Sequence, residues 1–194
     1  MIKLKGKIGI ALILAGFLII GGALWARWST VQKEKAMIDT FNKVVDEYQD
    51  QGSQEVSTQE PQKVPENMIG IMTIPKISLT VPLVDGIDSV SLKYAVGRFT
   101  ETAMPGEKGN CAVAGHRSFT YNQYFNRLNE VEAGDLITVK TQKGEFKYVV
   151  YEKKIVEPTD LSVLENTGEF IMTLITCHPE RSSAFRLIVR GRLS

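Results

Sequence analysis

Hydrophobic and polar positions along the chain fall into three regimes. The first is Ile8–Ala26, 19 residues without a charge, bracketed by Lys7 and Arg27. Wound as a helix at about 1.5 Å per residue, the run is roughly 28 Å long, enough to cross the hydrocarbon core of a bilayer. The second regime is the charged segment Lys33–Asp50, in which Met37, Phe41, Val44 and Tyr48 recur at steps of four, three and four. That spacing predicts one helix with a single apolar stripe, which either docks as a stalk or leans on a folded domain. Gln51–Glu66 is polar with two prolines and reads as a linker. From Met68 the pattern changes to short strand-like runs: Ile69–Ile74, Leu79–Leu83, Cys111–Gly115, Leu136–Thr141, Phe146–Tyr151, Phe170–Thr176 and Arg186–Leu193. Gly144 sits in the Gln-Lys-Gly-Glu turn between the fourth and fifth of these, a hairpin signal. Helical signal is confined to a turn or two near Ser89–Tyr94 and a stretch over Phe119–Leu128. The prediction is an all-β domain, a sandwich or a closed barrel, between which pattern alone does not choose.

Charge adds a direction. Lys3, Lys5 and Lys7 crowd the short side of the apolar run, and Trp25 and Trp28 stand at its other end. The positive-inside tendency therefore predicts a cytosolic N-terminus over residues 1–7, a transmembrane anchor over 8–26, and an extracellular stalk and linker over 27–67. The folded domain then occupies 68–194, outside the cell. A cleaved signal peptide is the alternative, but its apolar core spans about 7 to 15 residues, and Leu24, Trp25 and Arg27 spoil a small-x-small cleavage site. Of 23 basic and 22 acidic residues, four basic ones lie within residues 1–27, leaving 19 basic against 22 acidic outside. The exported part is mildly acidic, so nucleic acid is not expected as a partner. Two cysteines in 194 residues exclude a disulfide scaffold.

The scarcity of histidine and cysteine, two of each, narrows the chemistry further. A nucleophilic cysteine needs thiolate character from a nearby cation and a donor for the oxyanion. Cys177 lies at the C-terminal edge of a predicted strand, His116 follows another in Ala114–Ser118, and Arg186 opens the last strand. One thiol, one imidazole and one guanidinium at three strand ends suggest an acyl-transfer site. With ordinary ionisation constants the thiol and imidazole are both neutral at pH 7, so an active ion pair would be a minor form. Arg181, in the loop before Arg186, is the competing guanidinium, and Arg190 reads as a surface residue. A Cys111–Cys177 disulfide would consume the nucleophile. Zinc on Cys111, His116, Cys177 and His178 has poor spacing, because structural sites favour paired ligands two to four residues apart and neighbours on a strand point to opposite faces. No metal and no cofactor are expected. Glu101, Glu107 and Asp160 are too dispersed to demand a calcium site. His178 is a candidate for the rim of a substrate groove.

Thr173–Cys177, TLITC, followed by Arg186 resembles the active-site signature of the sortases, cysteine transpeptidases of Gram-positive cell surfaces. Ile69–Ile77, Thr102–Ser118 and Phe125–Val139 each resemble sortase segments in the family's order, so the likeness runs from about Met68 to Leu193. It implies a closed eight-stranded β-barrel as the catalytic domain, residues 68–194. It also implies roles: Cys177 attacks the Thr–Gly carbonyl of an LPxTG-like sorting signal to form a thioacyl enzyme. His116 serves as acid and then base, and Arg186 holds substrate or the oxyanion. The implied partners are surface proteins bearing such signals and an amine of a cell-wall precursor or cross-bridge. The Cys-to-Arg spacing and the ending from His178 onward look most like class D, with class E as neighbour. The absence of an Asp-Pro dipeptide and of a second apolar helix after the last strand argues against a pilin-polymerising member. Two readings from other classes remain open: a surface cysteine protease that uses water as acceptor, and a tethered peptide-binding module.

Overall fold

The computed structural model describes residues 2–50, 67–117, 124–179 and 182–194. The apolar run and the amphipathic segment form one helix, α1 (Ile2–Asp50), rather than two separated pieces. No proline interrupts it, and the charged residues after Arg27 are good helix formers. By length and composition Ile13–Lys43 contains a candidate membrane span. Toward the C-terminal end of that stretch the helix leans on the domain: Phe41 is fully buried, and Met37 and Ile38 pack beside it against Met68, Ile71, Val84 and Ala95. Lys33 Nζ lies 5.0 Å from the centre of the Tyr94 ring, a cation–π contact at the same interface. The side chains of Val44 and Tyr48 and the linker over 51–66 lie outside the described residues.

Eight strands follow among the described residues: β1 (Met68–Ile74), β2 (Leu79–Asp85), β3 (Val96–Arg98), β4 (Gly109–Ala114), β5 (Leu136–Thr141), β6 (Gly144–Val156), β7 (Phe170–His178) and β8 (Phe185–Leu193). They close into a barrel in the order β1-β2-β3-β4-β7-β8-β6-β5. Closure removes every exposed sheet edge. The β2–β3 and β4–β7 pairs are parallel and the rest antiparallel. Alternation divides each strand between two environments. Met72, Leu83, Cys111, Val113, Met172, Leu174, Leu187 and Val189 fill the interior. On the outer face of β4, β7 and β8, Ala112, Ile175 and Ile188 form a second apolar cluster, roofed by Val163, Leu164, Phe99 and Val156.

Two differences from the sequence pattern have physical causes. β3 was absent from it because Val-Gly-Arg has little strand character. Its neighbours require those residues: a Cβ on Gly97 would lie 2.2 Å from the Gly86 carbonyl oxygen. Arg98, only 5% exposed, donates from Nε to Asp85 Oδ1 at 2.9 Å and from Nη1 to the Thr102 carbonyl. β6 also runs on to Val156, through Glu152–Lys154, because β8 pairs with it as far as Arg186. Of the stretch read as helical, residues 118–123 lie outside the described set. Leu128–Glu130 is a single 3-10 turn, as is Ser91–Lys93.

The barrel interior also fixes the chemistry of Cys111. Burial pushes its thiol from an ordinary 9.0 up to about 12, so it stays protonated and inert in the native protein. In the unfolded chain it ionises at its ordinary value, so its contribution to stability is complete below pH 9 and is lost as pH rises toward 12. Cys111→Val is therefore expected to flatten the decline of stability on this alkaline limb, measured by chemical denaturation at a series of pH values. Iodoacetamide at pH 8 should label one cysteine per native chain and two in denaturant.

Candidate active site

The outer-face cluster leads directly to the end of β7. Cys177 follows Ile175 by two residues and so faces outward, above the apolar floor of Ile175 and Ile188. Its cross-strand partner is Arg186 on β8, and side chains directly opposite in an antiparallel pair have Cβ atoms about 4.5–5.5 Å apart. Both side chains are half-buried. Arg186 Nη1 donates to the carbonyls of Ser183 and Phe185, each at 3.0 Å, which holds the guanidinium at the β7–β8 rim. Its Nε and Nη2 have no partner among the described residues. Arg181 lies outside the described residues.

His116 arrives from the parallel neighbour. The β4–β7 ladder ends at Ala114–Ile175, followed by one further bond from Gly115 N to the Ile175 carbonyl at 3.1 Å. His116, two residues past the end of β4, thus stands at the same end of the β4–β7 ladder as Cys177. Its carbonyl accepts from Phe125 N at 3.2 Å. Gly115 permits the turn-off: a Cβ there would meet the buried Phe125 ring at 2.5 Å. The three sequence candidates Cys177, His116 and Arg186 therefore come from three adjacent strands at one end of the barrel wall, two of them paired.

Sequence reasoning gave no role to the polar residues that hold these strands. Thr176 Oγ1 donates to the Gly115 carbonyl at 2.8 Å, beside His116. Thr173 Oγ1, fully buried, donates to Asn110 Oδ1 at 2.7 Å. Asn110 Nδ2 in turn donates to the carbonyls of Val163 at 2.8 Å and Glu165 at 3.2 Å. Both threonines of TLITC thus tie β7 to β4. The available signal was two hydroxyl residues inside an otherwise apolar buried strand. Arg190 is a correction. It is not a surface residue: its side chain is 13% exposed, pairs with Glu152 at 3.3 Å, and shares the Arg186 face of β8.

His178 points to the other side of the wall from Cys177. It is half-buried, with Nδ1 2.9 Å from Arg117 Nη1. Cys111 faces the barrel interior and Cys177 the outside, so the two can share neither a disulfide nor a metal. Glu107 pairs with Lys143 at 3.2 Å. Asp160 accepts from Ser162 Oγ at 2.6 Å and from Ser162 N at 3.0 Å, and these bonds hold its carboxyl below its ordinary value.

The family model of the sortase domain matches residues 72–194, from the middle of β1 to the end of the barrel. The chain belongs to the sortase family. Sortases are cysteine transpeptidases. Sortase SrtE1 of Streptomyces coelicolor is 37% identical over 143 residues, 63% of this chain and 39% of that protein. Sortase D of Bacillus subtilis is 35% identical over 113 residues, 57% of this chain and 54% of that protein. The chain thus spans about half or less of the length of these two relatives, which carry the class names D and E that the sequence resemblance anticipated. The structure of a Clostridium perfringens sortase D5 transpeptidase superimposes with a TM-score of 0.67 at 29% identity, covering 83% of this chain and 98% of that one.

Proposed function

We propose that this sortase is a membrane-anchored transpeptidase in which Cys177, His116 and Arg186 act on an LPxTG-like sorting signal. The observation that carries the reading is the pairing of Cys177 with Arg186 across β7 and β8, at the end of the wall where His116 follows β4. An extended peptide laid along this rim would bring a carbonyl carbon to the thiol with a guanidinium at its oxygen. The Cys177 thiolate attacks the Thr–Gly carbonyl, and Arg186 donors stabilise the oxyanion. The C–N bond breaks as His116 gives its proton to the departing glycine amine, leaving a Thr thioester on Cys177. A primary amine of a cell-wall precursor then attacks, His116 takes its proton, and the C–S bond breaks to release the ligated protein and the Cys177 thiolate. Water in place of the amine gives hydrolysis, the protease reading.

The apolar part of α1 serves as the anchor in this proposal, with residues 1–7 in the cytosol and 68–194 outside. The partners are exported proteins bearing the signal and the wall amine. Full-length protein in detergent, incubated with an LPxTG peptide with and without a short glycine peptide, tests the reading by mass spectrometry. An acyl adduct on Cys177 and an amine-dependent ligation product are expected. Hydrolysed peptide alone, whatever amine is supplied, would instead favour the protease. No adduct with any sorting peptide would remove the proposal.

A further inference from the structure

The parallel β4–β7 ladder stops where the proposed chemistry begins. Gly115 N bonds the Ile175 carbonyl, and in a continuing ladder the next donor along β4, Arg117 N, would bond the Cys177 carbonyl. β4 has turned away by then, and the Arg117 side chain makes the connection instead. Its Nη1 donates to the Cys177 carbonyl at 3.4 Å and meets His178 Nδ1 at 2.9 Å, while Nη2 donates to Asn129 Oδ1 at 2.9 Å. Asn129 belongs to the turn Leu128–Glu130, and its own carbonyl accepts from Lys153 Nζ of β6 at 2.9 Å. One guanidinium thus joins the residue after His116 to the carbonyl of Cys177, and fastens both to the turn beneath them.

We infer that Arg117 is a positioning residue for the acyl-transfer step: it substitutes for the missing ladder bond and sets the separation of His116 from Cys177. The inference rests on the catalytic reading of those two residues. A planar fork with several fixed donors suits this task, whereas a lysine reaches fewer acceptors at once. A guanidinium carries donors only, so His178 Nδ1 must accept and the ring proton sits on Nε2. Arg117 therefore also fixes the tautomer of the residue that follows the nucleophile.

The test uses full-length protein in detergent carrying Arg117→Ala or Arg117→Lys. Misplacement of reacting groups by an ångström costs on the order of 10²-fold, so Arg117→Ala is expected to lower kcat by about 10- to 100-fold with little change in KM. Arg117→Lys should recover part of that loss. In ¹⁵N-histidine-labelled protein, the His178 Nδ1 acceptor signature should be present in the parent and lost in Arg117→Ala. The rate of Cys177 alkylation by iodoacetamide should change as well, and that readout needs no substrate. An Arg117→Ala protein whose kcat, alkylation rate and His178 spectrum match the parent would overturn the inference. So would a loss of activity that follows a fall in Tm and is shared in full by Arg117→Lys. Failure of the catalytic reading shows separately, as absence of a Cys177 thioester in the parent while the alkylation and ¹⁵N signals still report on Arg117.

Discussion

Cys177→Ala in the full-length protein is expected to abolish the acyl adduct and to reduce turnover of a sorting peptide by on the order of 10⁴-fold or more, the scale seen when a covalent nucleophile is removed. The thiol is half-buried on the outer face of the wall and its replacement leaves no unpaired buried group. Stability should therefore change by less than about 0.5 kcal/mol, the usual range for substitutions away from a packed core. The two measurements belong together: a thermal midpoint near that of the parent, with no thioester detected by mass spectrometry, separates loss of chemistry from loss of fold. Substantial turnover by the alanine variant would show that the chemistry lies elsewhere. Cys111 cannot take over, since it is 1% exposed and on the inner side of the wall. A tethered binding module would keep its peptide affinity in the variant and show no turnover in the parent.

Asn110→Ala is expected to cost about 2–5 kcal/mol of folding stability. Asn110 is 2% exposed, accepts from the buried Thr173 hydroxyl and donates to two carbonyls of the Val163–Glu165 turn. Its removal leaves these groups without partners, and each unsatisfied buried group costs about 1–3 kcal/mol. Chemical denaturation of the parent, Asn110→Ala, Thr173→Val and the double variant measures the effect. The double variant should be less destabilised than the sum of the singles, because the unpaired hydroxyl is then gone as well. Equal stability of Asn110→Ala and the parent would mean that water replaces the side chain at no cost, and that the roof over Ile175 and Ile188 does not depend on it. The same substitution should lower activity, since that roof and β7 together shape the wall below Cys177.

How much of this was legible beforehand depended on whether a residue's role is local. The strands β5, β7 and β8 follow runs whose apolar positions and turn residues show the structure in sequence, and β5 has the predicted bounds. β3 did not, because Gly97 and Arg98 are set by Gly86, Asp85 and Thr102, neighbours that sequence spacing does not reveal. The anchor and the amphipathic segment were each visible by period, but their fusion into a single α1 was not, since a charge-rich junction looks like a boundary. Cys177, His116 and Arg186 stood out through their rarity, their places at strand ends and the TLITC resemblance. Arg117, Thr176 and Asn110 did not, because each acts on a backbone carbonyl or side chain distant in sequence.

The apolar helix, the all-β character of the rest and the identities of the reactive side chains could be read from the chain alone, because hydrophobic period and residue chemistry are local properties. So could the place of Cys177 at a strand end. Folding in three dimensions was needed to show that the sheet closes, that β4 and β7 run parallel and side by side, and that Cys177 stands opposite Arg186 while Cys111 faces inward. Register across strands far apart in the chain settles those matters, and it follows from which apolar faces fill a common interior. A one-residue slip of β7 would have turned the thiol into the core.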